Sequence, residues 1–362
     1  MSRTDEGNQV WINQGGIQAG TLGQFLDSGQ SLGNSKSRTF SLGDLDGDGN
    51  LDAFVANNEN QANQVWINDG SGTFDNTLNS PGLGSSDSRG IGLGDLDGDG
   101  DLDAYVSNFR QPHQVWLNNG IGVFTPGASI SVSGFEALEM DLADVDRDGD
   151  LDAFVSAVGG QSNRVFLNDG SAGFADSWQQ LGNASSVDVE LGDLNGDGAV
   201  DAVVVNGDGP NKVWLNENDG TGSFSGTQSF GSSNSRHVAL GDIDGDGDLD
   251  AVEAIRDAAN RLWLNDGAGF FTQSVLTLGS GEDTFGLDLG DVDGDGDLDL
   301  LFTNFGQPNE VWLNRPQVTL TVTPGSVNED AGTAQDYTFV IGAPLLQPLI
   351  VNFAIVATAF DN

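Results

Sequence analysis

The stretch DLDGDGDLDAYV, Asp95 to Val106, decides the fold. Carboxylates stand at alternate positions around a glycine turn, and an apolar run follows at once. Such an arrangement makes an oxygen cage for a hard cation, leading into a β-strand. The nine-residue loop occurs six times: DLDGDGNLD from Asp44, DLDGDGDLD from Asp95, DVDRDGDLD from Asp144, DLNGDGAVD from Asp193, DIDGDGDLD from Asp242 and DVDGDGDLD from Asp291. The first positions are 51 residues apart once and 49 apart thereafter. A fixed period of this size marks a tandem repeat, in which each unit buries its apolar face only by stacking on its neighbours.

Around each loop the same grammar recurs. In the second copy, Ser88 to Gly94 alternates into the loop as a first strand, and Leu102 to Ser107 leaves it as a second. Asn108 to His113 turns the chain, Gln114 to Asn118 is a third strand, and Asn119-Gly120 signals a hairpin into a fourth at Val123-Phe124. Four short antiparallel strands per period, without helical periodicity, predict an all-β chain of four-stranded propeller blades. Six of the seven tryptophans (Trp11, Trp66, Trp116, Trp214, Trp263, Trp312) share one place in strand three, and Phe166 takes it in the remaining copy. A large ring at one fixed strand position is expected to pack one blade on the next rather than to stack on a sugar.

Strand three occurs seven times and the acidic loop six, so six full repeats follow an N-terminal half blade. The ring is therefore six- or seven-bladed. Either residues near Gly23 to Leu32 supply the fourth strand of the last blade, or the chain is a fragment of a seven-bladed propeller; the second is preferred. From Pro316 the pattern changes. Val318 to Val322, Tyr337 to Ile341 and Leu349 to Ala354 alternate like sandwich strands, without acidic loop or tryptophan. The expected division is a propeller over 1–315 and a partial β-sandwich over 316–362, too short for a complete one.

Composition narrows the function. The formal net charge is −43, from 55 acidic and 12 basic residues, and 27 of the acidic residues are loop aspartates. Nucleic acid is excluded as a partner for want of a basic patch, and an anionic membrane surface is disfavoured. No run approaches the ~20 apolar residues of a membrane span, so membrane insertion is not expected. The chain has no cysteine, hence no disulfide or thiolate metal site. Four carboxylates about 5 Å apart repel by about 3 kcal/mol per pair at an effective dielectric near 20, so the folded loops call for a cation.

Position one of the loops is Asp44, Asp95, Asp144, Asp193, Asp242 or Asp291. Position three is Asp46, Asp97, Asp146, Asn195, Asp244 or Asp293, and position five Asp48, Asp99, Asp148, Asp197, Asp246 or Asp295. Position seven, expected to offer only its carbonyl, is Asn50, Asp101, Asp150, Ala199, Asp248 or Asp297. Position nine, expected to close the cage, is Asp52, Asp103, Asp152, Asp201, Asp250 or Asp299. Oxygen-only ligands at this density suit Ca²⁺, about six ions in all, better than Mg²⁺ or a soft metal. Asn195 brings no charge, so the fourth site is expected to be weakest. The EF-hand loop is excluded: its position twelve would be Glu, and here only Glu253 satisfies that.

The acidic loop, the LDAFV-type strand and the VWLN-DG-F segment over residues 8 to 314 resemble the FG-GAP/VCBS repeats of integrin-α-like β-propellers. That resemblance implies Ca²⁺ held by positions one, three, five and nine with the carbonyl of seven, in an extracellular or cell-surface recognition or adhesion module. Glu329-Asp330-Ala331-Gly332 before Tyr337-Thr338-Phe339 is similar to the opening of a Calx-β domain. The expected function is non-catalytic binding of an extracellular protein or glycan through the polar loops between strands two and three, Asn57 to Ala62, Asn108 to His113, Val158 to Ser162 and Asn304 to Pro308. A structural spacer in a large surface protein is one alternative and a polysaccharide-active enzyme another. The chain has only His113 and His237, Lys36 and Lys212, and Tyr105 and Tyr337 to offer as catalytic groups, at unrelated points of the repeat.

Overall fold

A computed structural model describes residues 7–14, 24–79, 82–231, 234–314, 318–323 and 336–341. The strands fall where the repeat grammar puts them. After a two-stranded sheet of β1 (Asn8–Asn13) and β2 (Phe25–Leu32) comes the first blade: β3 (Ser37–Gly43), β4 (Asp52–Asn57), β5 (Gln64–Asn68) and β6 (Phe74–Asp75). The second is β7 (Ser88–Gly94), β8 (Asp103–Asn108), β9 (His113–Leu117) and β10 (Thr125–Ile130). The third runs through β11 (Ala137–Ala143), β12 (Asp152–Ala157), β13 (Arg164–Asn168) and β14 (Phe174–Asp176). The fourth is β15 (Ser186–Gly192), β16 (Asp201–Asn206), β17 (Asn211–Asn216) and β18 (Phe224–Phe230), and the fifth β19 (Ser235–Gly241), β20 (Asp250–Ile255), β21 (Asn260–Asn265) and β22 (Phe271–Leu278). The sixth blade shows three strands, β23 (Thr284–Gly290), β24 (Asp299–Asn304) and β25 (Glu310–Trp312). All pairings are antiparallel and consecutive. The six blades form a propeller in which each first strand packs against the next blade's first strand, β3 on β7 through β19 on β23.

The hydrophobic core lies between blades. The second strands of the first five blades are buried end to end, as in β8, because both faces are covered, while β24 of the sixth is only partly so. Leu45, Phe54 and Val65 of the first blade meet Ala104, Val106 and Trp116 of the second, with Ile91, Leu93 and Leu102 packed alongside. The strand-three rings are packing knobs, as expected: Trp66, Trp116, Phe166 and Trp263 are buried. The Trp116 ring lies over Gly84, where a Cβ would come within 3.1 Å of it and the backbone takes a φ of +68° that favours glycine. Trp214 is half-buried, and Trp11 and Trp312 are the exceptions, 53% and 37% exposed.

β2 pairs with β1 and not with β25, so the described part of the Gly23 to Leu32 segment does not complete the sixth blade; Gly23 itself lies outside the described residues. The β1–β2 pair is instead the outer half of a further blade, placed between the sixth and the first. Asn13 Nδ2 donates to the Val292 carbonyl of the sixth blade at 3.1 Å. On the other side, Gln30 Nε2 donates to the Gly72 carbonyl at 2.5 Å, and Asn8 Nδ2 to Ser37 Oγ at 2.9 Å. Beyond the sixth blade, β26 (Val318–Thr323) pairs antiparallel with β27 (Asp336–Ile341), matching the first two strands expected there. The third, Leu349 to Ala354, and the Glu329 to Gly332 segment lie outside the described residues.

Candidate metal centres

Each loop curls around its own aspartates. Asp44 Oδ1 accepts from Gly47 N at 2.9 Å and Oδ2 from Gly49 N at 3.0 Å, while Asp48 Oδ1 accepts from Asn50 N at 2.8 Å. The tight winding needs left-handed backbone at positions four and six, and glycine supplies it, with φ +78° at Gly98 and +95° at Gly100. Arg147 takes position four in the third loop at φ +63° and points outward, its guanidinium donating to the Asp197 carbonyl of the next loop at 3.3 Å.

This winding brings carboxylates together. Oxygens of Asp44, Asp46 and Asp48 lie within 4.8 Å of one another, as do those of Asp95, Asp97 and Asp99, of Asp242, Asp244 and Asp246, and of Asp291, Asp293 and Asp295. In the third loop the group is Asp144, Asp146 and Asp152. The fourth loop, with Asn195 at position three, forms no such carboxylate group. The residues fit a hard cation on a further count: Asp242 Oδ1 and Asp244 Oδ1 are enclosed and accept no hydrogen bond, as is Asp193 Oδ1. Burial, then the neighbouring carboxylate, pushes Asp97, Asp146 and Asp244 above the usual carboxylate range. A bound divalent ion would supply the missing counter-charge.

Position nine does more than the sequence suggested. Asp103 is fully buried; its Oδ2 accepts from Leu96 N at 3.2 Å and its Oδ1 from Asn118 N at 2.8 Å. Asp52, Asp152, Asp201, Asp250 and Asp299 make the same two bonds. These carboxylates tie the loop to strand three; Asp250 Oδ2 also accepts from Asp244 N at 3.2 Å, and on the other position-nine oxygens a lone pair remains for a cation. Burial raises Asp103, Asp201 and Asp250 to about 6 and Asp152 to about 7. The position-seven side chains Asp101, Asp150 and Asp248 lie against Gly120, Gly170 and Gly267 of the hairpin turns, while Asn50 Nδ2 donates to Asp48 Oδ2 at 2.8 Å.

The asparagine ending strand three was not recognised as functional in the sequence, although Asn13, Asn68, Asn118, Asn168, Asn216, Asn265 and Asn314 all occupy that place. Asn118 Nδ2 donates to the Leu45 carbonyl, inside the previous blade's loop, at 2.8 Å. Asn168, Asn216, Asn265 and Asn314 reach Leu96, Val145, Leu194 and Ile243 likewise. Each of the first five acidic loops is thus held by its own blade and by the following one.

A second cluster faces the inside of the ring. Arg38 of β3 lies 3.7 Å from Glu139 of β11, and His237 Nδ1 lies 3.3 Å from Asp188. Burial lifts Glu139 to about 7 and Asp141 to about 6, and raises Asp188 and Glu190. Tyr105 is core, as read from the sequence, and its hydroxyl is hydrogen-bonded to His113 Nδ1 at 2.8 Å. Burial holds His113 neutral, down at about 3. Glu253, the lone glutamate at position twelve, is no cage ligand: it accepts from Asn211, Ser235 and Trp263 at 2.8, 2.6 and 2.8 Å.

Five matches to the FG-GAP-like repeat, over residues 44–106, 95–155, 144–204, 193–253 and 254–302, span most of the propeller. The chain belongs to this family of repeat β-propellers. Among solved structures it is similar to BBS1N in complex with ARL6DN. For the crystal soaked with mercury the TM-score is 0.54 at 11% identity, over 84% of this chain and 89% of that one. For the crystal soaked with lead it is 0.55 at 10% identity, over 87% and 92%. At such identity the likeness is one of fold. No curated protein matches the sequence.

Proposed function

We propose that this propeller is a calcium-stabilised, non-catalytic recognition module of an extracellular or cell-surface protein. The observation that carries the reading is the gathering of three carboxylates in five of six loops, at positions one, three and five in four of them and at one, three and nine in the third, in a chain of FG-GAP-like repeats. Ca²⁺ would be held by positions one, three and five, with position nine behind them, and would supply charge neutralisation. The chain's own residues wind the loop, aim the oxygens and lock it between blades.

Recognition falls to the opposite end of the blades, where strands two and three connect. Gly160 to Ser162, one of the polar loops expected to carry specificity, lines a cleft of about 410 Å³ with Ser133 to Phe135, Arg164 and Asp176. Trp178, the one tryptophan outside strand three, stands 81% exposed at its edge. An exposed aromatic face beside polar groups suits a glycan or a protein side chain. A non-catalytic role agrees with the scattered positions of His113, His237, Lys36 and Lys212: one buried in the core, one beside Asp188, one paired with Glu59 and one over Trp214. Among the described residues no helix is long and apolar enough to cross a membrane.

Calorimetric titration of the chelated chain should count about five strong Ca²⁺ sites, and chelation should lower the melting temperature. A melting curve unmoved by chelator and Ca²⁺ would overturn the metal reading. An array of glycans and surface proteins, with Trp178→Ala as control, tests recognition; release of cleaved polysaccharide would sink the non-catalytic view.

A further inference from the structure

In every acidic-loop blade the first strand opens on a β-bulge, at the end opposite the acidic loops. The register slips between Ser37 and Thr39, between Ser88 and Gly90, between Ser235 and His237, and at the same place in the other three blades. A bulge leaves a residue unpaired and re-aims its side chain. Three blades put an arginine there, Arg38, Arg89 and Arg236, and the other three put Leu138, Val187 and Phe285. First strands line the inside of the ring, where Arg38 of β3 comes within 3.7 Å of Glu139 of β11, two blades away. The bulge side chains therefore stand around the mouth of the ring.

Charge is divided between the two ends of the propeller. The 27 loop aspartates lie at one end, whereas six of the 12 basic residues, Lys36, Arg38, Arg89, Arg110, Arg236 and Arg256, stand at the other, where first strands begin and second strands end. Four of the six are matched by carboxylates: Lys36 by Glu59, Arg89 by Asp87 at 3.0 Å, Arg110 by Glu136, and Arg256 by Asp257 and Asp283 at 3.5 Å each. Arg38 and Arg236 are not. Arg38 is beyond hydrogen-bond reach of Glu139. Arg236 makes no ion pair among the described residues; its guanidinium lies 5.5 Å over the Phe285 ring. The Nε of Arg38, of Arg89 and of Arg236 is in each case enclosed and donates no hydrogen bond. Burial, then the Arg256 charge, lowers Arg236 from its ordinary range; Asp283 offsets this and Arg38 adds to it. Like charges are thus held together with donors unused, in a chain of net charge −43.

We propose that the mouth of the ring binds a carboxylate side chain of a protein partner, held by Arg38 and Arg236 with Arg89 beside them. A guanidinium fork matches the two oxygens of a carboxylate, and the enclosed Nε atoms are the donors such a group satisfies. Leu138, Val187 and Phe285, at the same bulge position, call for an apolar residue next to the acid, which a peptide supplies and an inorganic anion does not. Deeper in the ring Glu139, Asp141, Asp188 and Glu190 repel an anion, so the carboxylate stops at the mouth. A flat anionic surface would meet Glu59, Asp87 and Glu136 together with the arginines, whereas one extended segment reaches the centre alone. The acidic loops at the far end turn an acidic partner toward this one. The inference rests on the reading of this end of the blades as the recognition end, and it names a site separate from the Trp178 cleft.

The test titrates the full chain in Ca²⁺ with end-blocked pentapeptides that carry Glu at the centre and Leu, Val or Phe on either side, and with the same set carrying Gln. The Glu peptides should bind one per chain, at least tenfold more tightly than the Gln set, and more weakly as salt rises. They should also shift the Nε–Hε NMR signals of Arg38 and Arg236. These signals are read on the unaltered chain, so no variant need fold for the test to decide; the absence of a saturable shift overturns the proposal. Arg236→Gln should lose at least tenfold in affinity yet melt no lower than the parent, since it removes a like charge from beside Arg38 and Arg256. Equal affinity of the two peptide sets, or of Arg236→Gln and the parent, overturns the proposal. So does inorganic phosphate binding as tightly as the Glu peptides, or capture of the chain by phosphatidylserine vesicles through the same arginines. Trp178→Ala should leave peptide affinity unchanged. Binding lost in Trp178→Ala and kept in Arg236→Gln would preserve recognition at this end and overturn the site at the mouth.

Discussion

The side-chain amide of Asn118 donates to the carbonyl of Leu45, 73 residues upstream and inside the neighbouring blade's acidic loop, at 2.8 Å. The same amide donates to Leu102 of its own blade at 3.2 Å. A single side chain so couples two acidic loops, and the coupling repeats around the propeller. Asn118→Ala strands two buried carbonyls, a loss of about 1–3 kcal/mol. The Asn68 side chain stays within its own blade, donating to the Leu51 carbonyl and accepting from Gly70 N and Gly72 N, and is partly exposed, so Asn68→Ala should cost less. Denaturant unfolding of the two variants measures the difference.

The fourth loop is the natural control for the metal assignment. Its Asn195 adds no charge, and Arg147 from the third loop leans on the Asp197 carbonyl. Asp244→Ala should remove one strong Ca²⁺ site from a calorimetric titration, while Asn195→Asp should tighten or add one. An unchanged count in both variants would contradict the ligand assignment.

Much of this was legible because the repeat states each fact six times. The winding of the loops, the strand order within a blade and the packing role of Trp116 follow from period, turn glycines and alternation. What escaped were relationships between repeats. Nothing in VWLN says that Asn118 crosses to Leu45, since the partner lies one blade away and offers only backbone. The double duty of Asp103 was hidden for the same reason: its partners are the N–H groups of Leu96 and Asn118, which have no side-chain signature. The β1–β2 half blade was visible as a surplus strand three, but its seat between the sixth and first blades needed three-dimensional contacts.

Glu253 makes a charge-assisted knot between the fourth and fifth blades. It is fully buried and accepts hydrogen bonds from Asn211, Ser235 and Trp263, with Arg261 at 3.9 Å. Glu253→Ala removes the acceptor of Asn211 and Trp263, Ser235 Oγ keeping Asn211 Oδ1 at 3.0 Å, and should destabilise by roughly 3 kcal/mol. Calcium stoichiometry should be unaffected, since this side chain faces the blade junction rather than the loop. A lost site in that variant would reassign Glu253 as a ligand.

Inside the ring, Glu139 titrates near 7 and Asp141 near 6 because burial penalises their charged forms; Arg38 offsets this at Glu139, Asp188 adds like charge to both, and His237 and Arg89 offset it further at Glu139. Folded-state values above the unfolded ones mean that the folded chain holds more protons between about pH 4 and 7. Stability therefore falls as pH rises through that window, and the full penalty is present above pH 7. Calcium sharpens the test, because loop aspartates neutralised by metal drop out of the titration while the interior carboxylates do not. In saturating Ca²⁺ the melting temperature should be higher at pH 5 than at pH 7.5. Glu139→Gln should flatten that slope, recovering on the order of 2 kcal/mol at pH 7.5 and little at pH 4. A variant whose pH profile parallels the parent's would show that Glu139 is ionised at no cost inside the ring.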